Sequence, residues 1–140
     1  MTMASLYILQ NARQKLENGW CRVNFELGPP DARRYCTVGA VIAAAREHYQ
    51  LPNMLDGHLY GVIDGCLHTL AQNLPEAFRT ESCTPMRRIT LYNDIQGPAK
   101  VLDLFDATIT ALQNIEAASK VKVVAEVKPV LLPIEEPVLV

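Results

Sequence analysis

Four groups of side chains have types and spacings that could carry chemistry. The first is Cys36. It stands in the opening turns of an apolar run, where a helix dipole lowers a thiol pKa and Arg33 and Arg34 would add positive charge. A nucleophile also needs a base. His48 lies three turns further along the same run, too far to serve. Burial among apolar neighbours pushes the thiol the other way, so the packing reading outweighs the reactive one. The second group is Asp64 and His68, an i, i+4 pair with Gln72 continuing the row. A carboxylate and an imidazole at this spacing could form an acid–base dyad, though a solvated helix face is the commoner meaning. The third is the run Tyr92-Asn93-Asp94. Asn and Asp at a helix end hold backbone turns, and with Trp20, Tyr35 and Cys36 they could also rim a pocket for a small ligand. The fourth is metal-ligand chemistry, which the spacing does not favour. Cys21, Cys36, Cys66 and Cys83 contain no C-x-x-C, and Cys66 and His68 point to opposite sides of a helix. No Gly-rich phosphate loop, G-x-S-x-G or H-E-x-x-H is present. The sequence therefore names no catalytic residue, no metal and no cofactor.

Composition bounds the elements that must position these groups. The chain has 140 residues, 49% hydrophobic and 20% charged, with a formal charge of −2. That is the profile of a globular domain with a core of its own. No basic run exceeds two residues, which speaks against nucleic acid. The N-terminus lacks a basic region and a long apolar stretch, so no signal peptide is expected. With no membrane span either, the thiols are expected reduced, in a cytoplasm.

The predicted fold is mainly α, with four to five helices packed around a central buried helix at residues 31–49. Between Tyr35 and Ala45 only Thr37 carries an ordinary polar group, and a helix apolar all round is a buried one. Asp31 stands where its cap belongs. The first helix follows from Leu6, Leu9, Ala12 and Leu16, with Ser5 as cap and Asn18-Gly19 as stop. Residues 21–27 alternate apolar and polar, which predicts a half-buried extended segment and a small two-stranded β element. A third helix spans residues 56–73. Its Gly57, Gly61 and Gly65 recur every fourth residue and predict close backbone packing on Gly39, Ala40, Ala43 and Ala44. Thr84-Pro85 opens a short helix that stops near Asn93-Asp94. Pro98 opens a last helix, striped by Val101, Leu102, Phe105 and Ile109, to about residue 118.

Residues 1–118 thus read as one helical domain and residues 119–140 as an extended tail. Pro129, Pro133 and Pro137 speak against a helix there. The tail is richer in aliphatic residues than disordered segments are. An apolar extended segment usually lies on something. Val121, Val123, Val127, Leu131, Leu132 and Ile134 are the candidate contacts with a protein partner or a second copy.

Three pieces in order carry a resemblance: Gly19-Trp20-Cys21, then Arg34-Tyr35-Cys36-Thr37-Val38-Gly39-Ala40, then Tyr92-Asn93-Asp94 with Gly97 before an amphipathic helix. Over roughly residues 6–109 the chain resembles a family of small bacterial and bacteriophage proteins described only as a domain of unknown function. Its members run G-W-C, W-C-A-x-G-A and W-N-D-x-P-G-R-T. Here tyrosine replaces two of the tryptophans, and Gln96-Gly97-Pro98-Ala99 lacks the family's arginine and threonine. The resemblance implies a phage or prophage origin and no activity. The sequence then favours a non-enzymatic protein-interaction module, in the form of a phage accessory or anti-defence protein. The alternative is a small ligand binder or enzyme built around Trp20, Tyr35, Asn93 and Asp94, with Cys36 or His68 as its reactive group.

Overall fold

The computed structural model describes residues 3–50, 57–79 and 83–139, and for residues 121–139 only the course of the backbone. Five α-helices follow one another: α1 (Met3–Asn18), α2 (Thr37–Tyr49), α3 (Gly57–Gln72), α4 (Pro85–Gln96) and α5 (Pro98–Leu139). Two short strands, β1 (Glu26–Leu27) and β2 (Arg34–Tyr35), pair antiparallel, with Glu26 opposite Tyr35 and Leu27 opposite Arg34. The chain divides into two compact units, Met1–Ile109 and Thr110–Val140.

In the first unit α2 touches α1, α3, α4 and β2. It is central because its sequence leaves no polar face: Val38, Ala40, Val41, Ala44 and Ala45 are all fully enclosed. Leu9 and Ala12 of α1, Leu67 and Leu70 of α3, Ile89 of α4 and Phe105 of α5 complete the core. The stripe read for α1 is its buried face, and Val101, Phe105 and Ile109 of α5 are buried as read, whereas Leu102 is only half-buried and Leu104 and Thr108 are enclosed instead. Thr84 caps α4 by accepting the Arg87 N–H, and Pro85 follows it. Gly97, at φ 86°, ends α4 so that Pro98 can open α5.

Several expectations are corrected. The central helix begins at Thr37, not at Asp31. Residues 30–32 form a 3-10 turn, and Arg34–Tyr35 is a strand. The Tyr35 N–H is already donated to the Gly19 carbonyl, and the Tyr35 carbonyl accepts from Cys21 N–H. A backbone tied on both sides in this way cannot join a helix. Ser5 lies buried inside α1 rather than capping it. The 21–27 segment is not half-buried: only Cys21 is enclosed, and residues 22–27 are all exposed. Just two of its residues pair, and Val23 has a left-handed φ of 70°. The short helix does not stop at Asn93-Asp94, which lie inside α4 with one more turn beyond them.

Among the described residues nothing stands against the glycine face of α3. A methyl group added at Gly57, Gly61 or Gly65 would find no atom within 4 Å among the described residues. The close approach falls on one of the small residues of α2 instead. A Cβ on Gly39 would sit 1.8 Å from the Phe25 carbonyl oxygen. That carbonyl also accepts the Cys36 N–H, so glycine at position 39 is what lets the 21–27 segment lie against the start of α2.

The tail expectation is corrected too: α5 continues as helix through Leu139. No proline interrupts residues 119–128. Pro129, Pro133 and Pro137 each remove one donor, but their four-residue spacing puts the three gaps nearly above one another. The hydrogen bonds of the other faces remain. The side chains of Val121, Val123, Val127, Leu131, Leu132 and Ile134 lie outside those described, as does the Asp56 cap.

Candidate functional site

The candidate residues converge on Asn93. It sits on the third turn of α4 and is fully buried. Its side-chain oxygen accepts from three donors: Trp20 Nε1 at 2.9 Å, the Thr37 backbone N–H at 3.0 Å and Thr37 Oγ1 at 2.8 Å. Its Nδ2 donates to the Cys21 carbonyl at 3.2 Å and to Asp94 Oδ1 at 3.0 Å. An amide has two donors and one carbonyl oxygen, and here all are engaged. Three donors on one side and two acceptors on the other fix which way the amide points.

The Thr37 N–H is one of the unpaired donors at the start of α2. An N-cap normally satisfies such groups from the adjacent residue. Here α2 is capped twice. Cys36 Sγ accepts the Gly39 N–H at 3.4 Å, and Asn93 reaches in from a helix 56 positions away. The partial negative charge of the amide oxygen also suits the positive end of the α2 dipole.

Asp94 extends the arrangement outward. Its Oδ1 accepts the Val23 N–H at 3.0 Å, and its backbone carbonyl accepts Arg22 Nε at 2.7 Å. The Arg22 guanidinium lies 4.8 Å from the Trp20 ring centre, a cation–π contact. Tyr35 is joined to Trp20 through the backbone, and Lys15 stands 5.7 Å from its ring centre. Tyr92 faces the other way. Its hydroxyl donates to the Lys100 carbonyl at 3.3 Å, its ring meets Phe78 edge to face, and burial with Asp103 nearby pushes its pKa up. Five of the six candidates thus gather at one place, and Tyr92 ties α4 to Phe78 before it and to the start of α5 after it.

Cys36 is 2% exposed, and burial pushes its thiol up in spite of the Gly39 and Val38 N–H groups, which pull it down. Burial also raises Cys21, and Cys66 is pushed up to about 11. These thiols are protonated at neutral pH, the opposite of an activated nucleophile. Asp64 and His68 are exposed and make no ion pair among the described residues. Among the described residues no three His, Cys, Asp or Glu side chains gather as a metal site, and no helix is long and apolar enough to cross a membrane.

Sequence reading missed Thr37 and Arg22 as members of the network. The signal for Thr37 was present: it is the one ordinary polar residue in a buried run. It also missed a separate cleft of about 240 Å³ lined by His68, Ala71, Gln72, Arg79 and Arg88. No spacing in the chain joins these residues, because three elements contribute them.

Fold and site together define a small helical domain whose central helix is capped from a distant helix by one buried amide. The chain belongs to a family of unknown function (DUF6197), whose model matches residues 2–111. The matched span contains all three pieces of the Gly19, Arg34 and Tyr92 pattern. No curated protein and no solved structure matches the chain.

Proposed function

We propose that the protein is a non-enzymatic protein-interaction module. The observation that carries this reading is the 22–27 segment. Val23, Phe25 and Leu27 are 74%, 49% and 41% exposed, yet the backbone that displays them is held from two sides. Asp94 takes the Val23 N–H, and the Phe25 carbonyl is seated on Cys36 and Gly39. A left-handed valine stores strain, of order 1–3 kcal/mol, and persists only where its surroundings enforce it. An apolar loop kept in one conformation loses little entropy when a partner covers it. Ile95, next to Asp94 on α4, is a further exposed apolar side chain at 61%.

The C-terminal segment is a second contact region in this proposal, through Val121, Val123, Val127, Leu131, Leu132 and Ile134 and with a partner protein or a second copy. The cytoplasm of a bacterium or a phage-infected cell is its setting, and a phage accessory role of anti-defence type is its form. The alternative, a small ligand held by Trp20, Tyr35, Asn93 and Asp94, is less well supported. The Asn93 polar atoms are fully engaged within the protein, which leaves a ligand little to bind.

Site-specific photo-crosslinking of the full chain in cells tests this. A photoreactive phenylalanine at position 25 or 127 is expected to give one defined adduct, and the same group at Tyr60 on α3 none. Twice the mass of the chain marks a second copy, and any other mass a different protein. Equal labelling from positions 25 and 60, or none from 25 and 127, sinks the proposal.

A further inference from the structure

We infer that the cleft between α3, the 3-10 turn Glu76–Phe78 and α4 is a binding site for the phosphoryl group of a small phosphate monoester. It lies apart from the Asn93 network and does not depend on the interaction reading. His68 and Gln72 stand one turn apart on α3, with Ala71 between them as the floor. Arg79 follows the 3-10 turn, and Arg88 comes from the first turn of α4. One aromatic contact ties together the two segments that carry the arginines. Phe78 meets Tyr92 edge to face with ring centres 5.0 Å apart. Arg79 is the residue after Phe78, and Arg88 lies one turn before Tyr92 on the same helix.

The donor chemistry of the cleft is one-sided. Two guanidinium groups, a primary amide and an imidazole line it, and no carboxylate does among the described residues. Neither Arg79 nor Arg88 has an acidic partner among the described residues. The Arg88 Nε–H is enclosed and has no hydrogen-bond acceptor among the described residues. Buried donors in folded proteins are almost always paired, and no protein acceptor among the described residues commits the Arg88 guanidinium, which leaves its fork available to the cleft. A guanidinium presents a planar fork that fits the oxygens of phosphate or carboxylate. Two forks together with Gln72 and His68 offer more donors than a carboxylate's two oxygens can accept from separate directions. The three terminal oxygens of a phosphate monoester match them. At about 240 Å³ the cleft is smaller than a pocket for a whole drug-sized molecule. It suits a phosphoryl end, with the remainder of the ligand in solvent.

The test is titration of the full chain with inorganic phosphate, methyl phosphate and acetate at constant ionic strength. The readout is the Nε–Hε signals of arginine in 15N-correlated NMR spectra. The expected result is saturable movement of the Arg88 signal with both phosphates and a weaker response to acetate. Arg79→Gln, at an exposed position, is expected to weaken methyl phosphate binding about tenfold, the loss of one charge-assisted contact. Arg88→Gln should do the same where its spectrum shows it folded. Arg87→Gln removes the same charge one position away, outside the lining, and is expected to change little. No saturable shift overturns the inference. So does an Arg87→Gln effect equal to that of Arg79→Gln, which marks diffuse attraction, or acetate binding as tightly as methyl phosphate.

Discussion

Replacing Asn93 with alanine is expected to destabilise the protein more than any other single polar substitution in the first unit. The magnitude follows from what is left behind. The Thr37 N–H and the Cys21 carbonyl lose their partner in a fully enclosed position. Each orphaned buried group costs about 1–3 kcal/mol. The Trp20 N–H is half-exposed and can turn to water, and the Thr37 hydroxyl can rotate, so these add little. With the space vacated by the amide, the loss is about 3–5 kcal/mol, near the upper end for point substitutions. For a domain of this size that is roughly 10–20 °C in Tm. Urea and thermal unfolding followed by circular dichroism would measure it. Asn93→Asp separates the hydrogen-bond pattern from packing, since its shape is nearly the same. One carboxylate oxygen would keep the three donors, while the other would face the Cys21 carbonyl and Asp94 Oδ1, both acceptors. Only the protonated acid can donate to them. The folded pKa of the new carboxyl is therefore raised above its unfolded value. The stability tied to that proton is present below the ordinary carboxyl pKa of about 4 and is lost as pH rises through the folded value. The variant should approach the parent protein near pH 4 and fall away from it toward pH 7. A loss below about 1 kcal/mol for Asn93→Ala, or an Asn93→Asp deficit that does not change with pH, would refute the reasoning.

Gly39→Ala should abolish the native fold or shift Tm down steeply, because its Cβ would overlap the Phe25 carbonyl oxygen; Gly61→Ala meets nothing and should raise stability by up to about 1 kcal/mol through helix propensity. A thermal shift series on the two variants checks both directions. Val23→Gly should stabilise the protein by about 1 kcal/mol, since glycine adopts the left-handed backbone at φ 70° without strain, and a lower urea midpoint would contradict it. Cys66, pushed up to about 11 by burial, binds a proton in the folded state that the unfolded chain releases near pH 8.5. Its contribution is complete below that pH and lost as pH rises toward 11, so Cys66→Val should flatten part of the fall in urea midpoint between pH 8 and 10.5, measured under reducing conditions.

The helical stripes were legible in the sequence because a period of 3.6 in Leu6, Leu9, Ala12 and Leu16, or in Leu59, Ile63, Cys66 and Leu70, has one meaning once a core exists. The caps at Thr84 and Pro98 were legible for the same local reason. What was not legible depended on groups far apart in the chain. The start of α2 moved to Thr37 because Gly19 and Cys21 hold Tyr35, and no window around Tyr35 contains them. The alternation in residues 21–27 suggested a half-buried strand, yet the backbone turns left-handed at Val23, where its N–H is taken by the Asp94 carboxylate rather than by a neighbouring strand. Small residues on α2 and α3 suggested that the α3 glycines sit against α2; the two helices do touch, but among the glycines of these helices the close approach falls on Gly39, and its neighbour is a carbonyl of the 21–27 segment. Trp20, Tyr35, Cys36, Asn93 and Asp94, grouped from the sequence as candidates, lie close together in the fold. Their distances could not be read, and with them the fact that Asn93 is saturated. The arginines of the cleft carried no signal except the pair Arg87-Arg88, which reads as ordinary surface charge.

The amide that caps α2 has a consequence for the order in which the chain can fold. Its bonds join positions 56 and 73 residues apart, so they form only after a long loop has closed, and loop closure of that length is entropically unfavourable. α1 and α2 are neighbours in sequence and pack on one another, so they can associate without waiting for α4. Until Asn93 arrives, the first turn of α2 has an unsatisfied donor at Thr37 and is free to fray. Completion of the first turn of the central helix is therefore tied to the docking of α4. The Val23–Leu27 surface is tied to the same step, since Asp94 beside Asn93 holds the Val23 N–H.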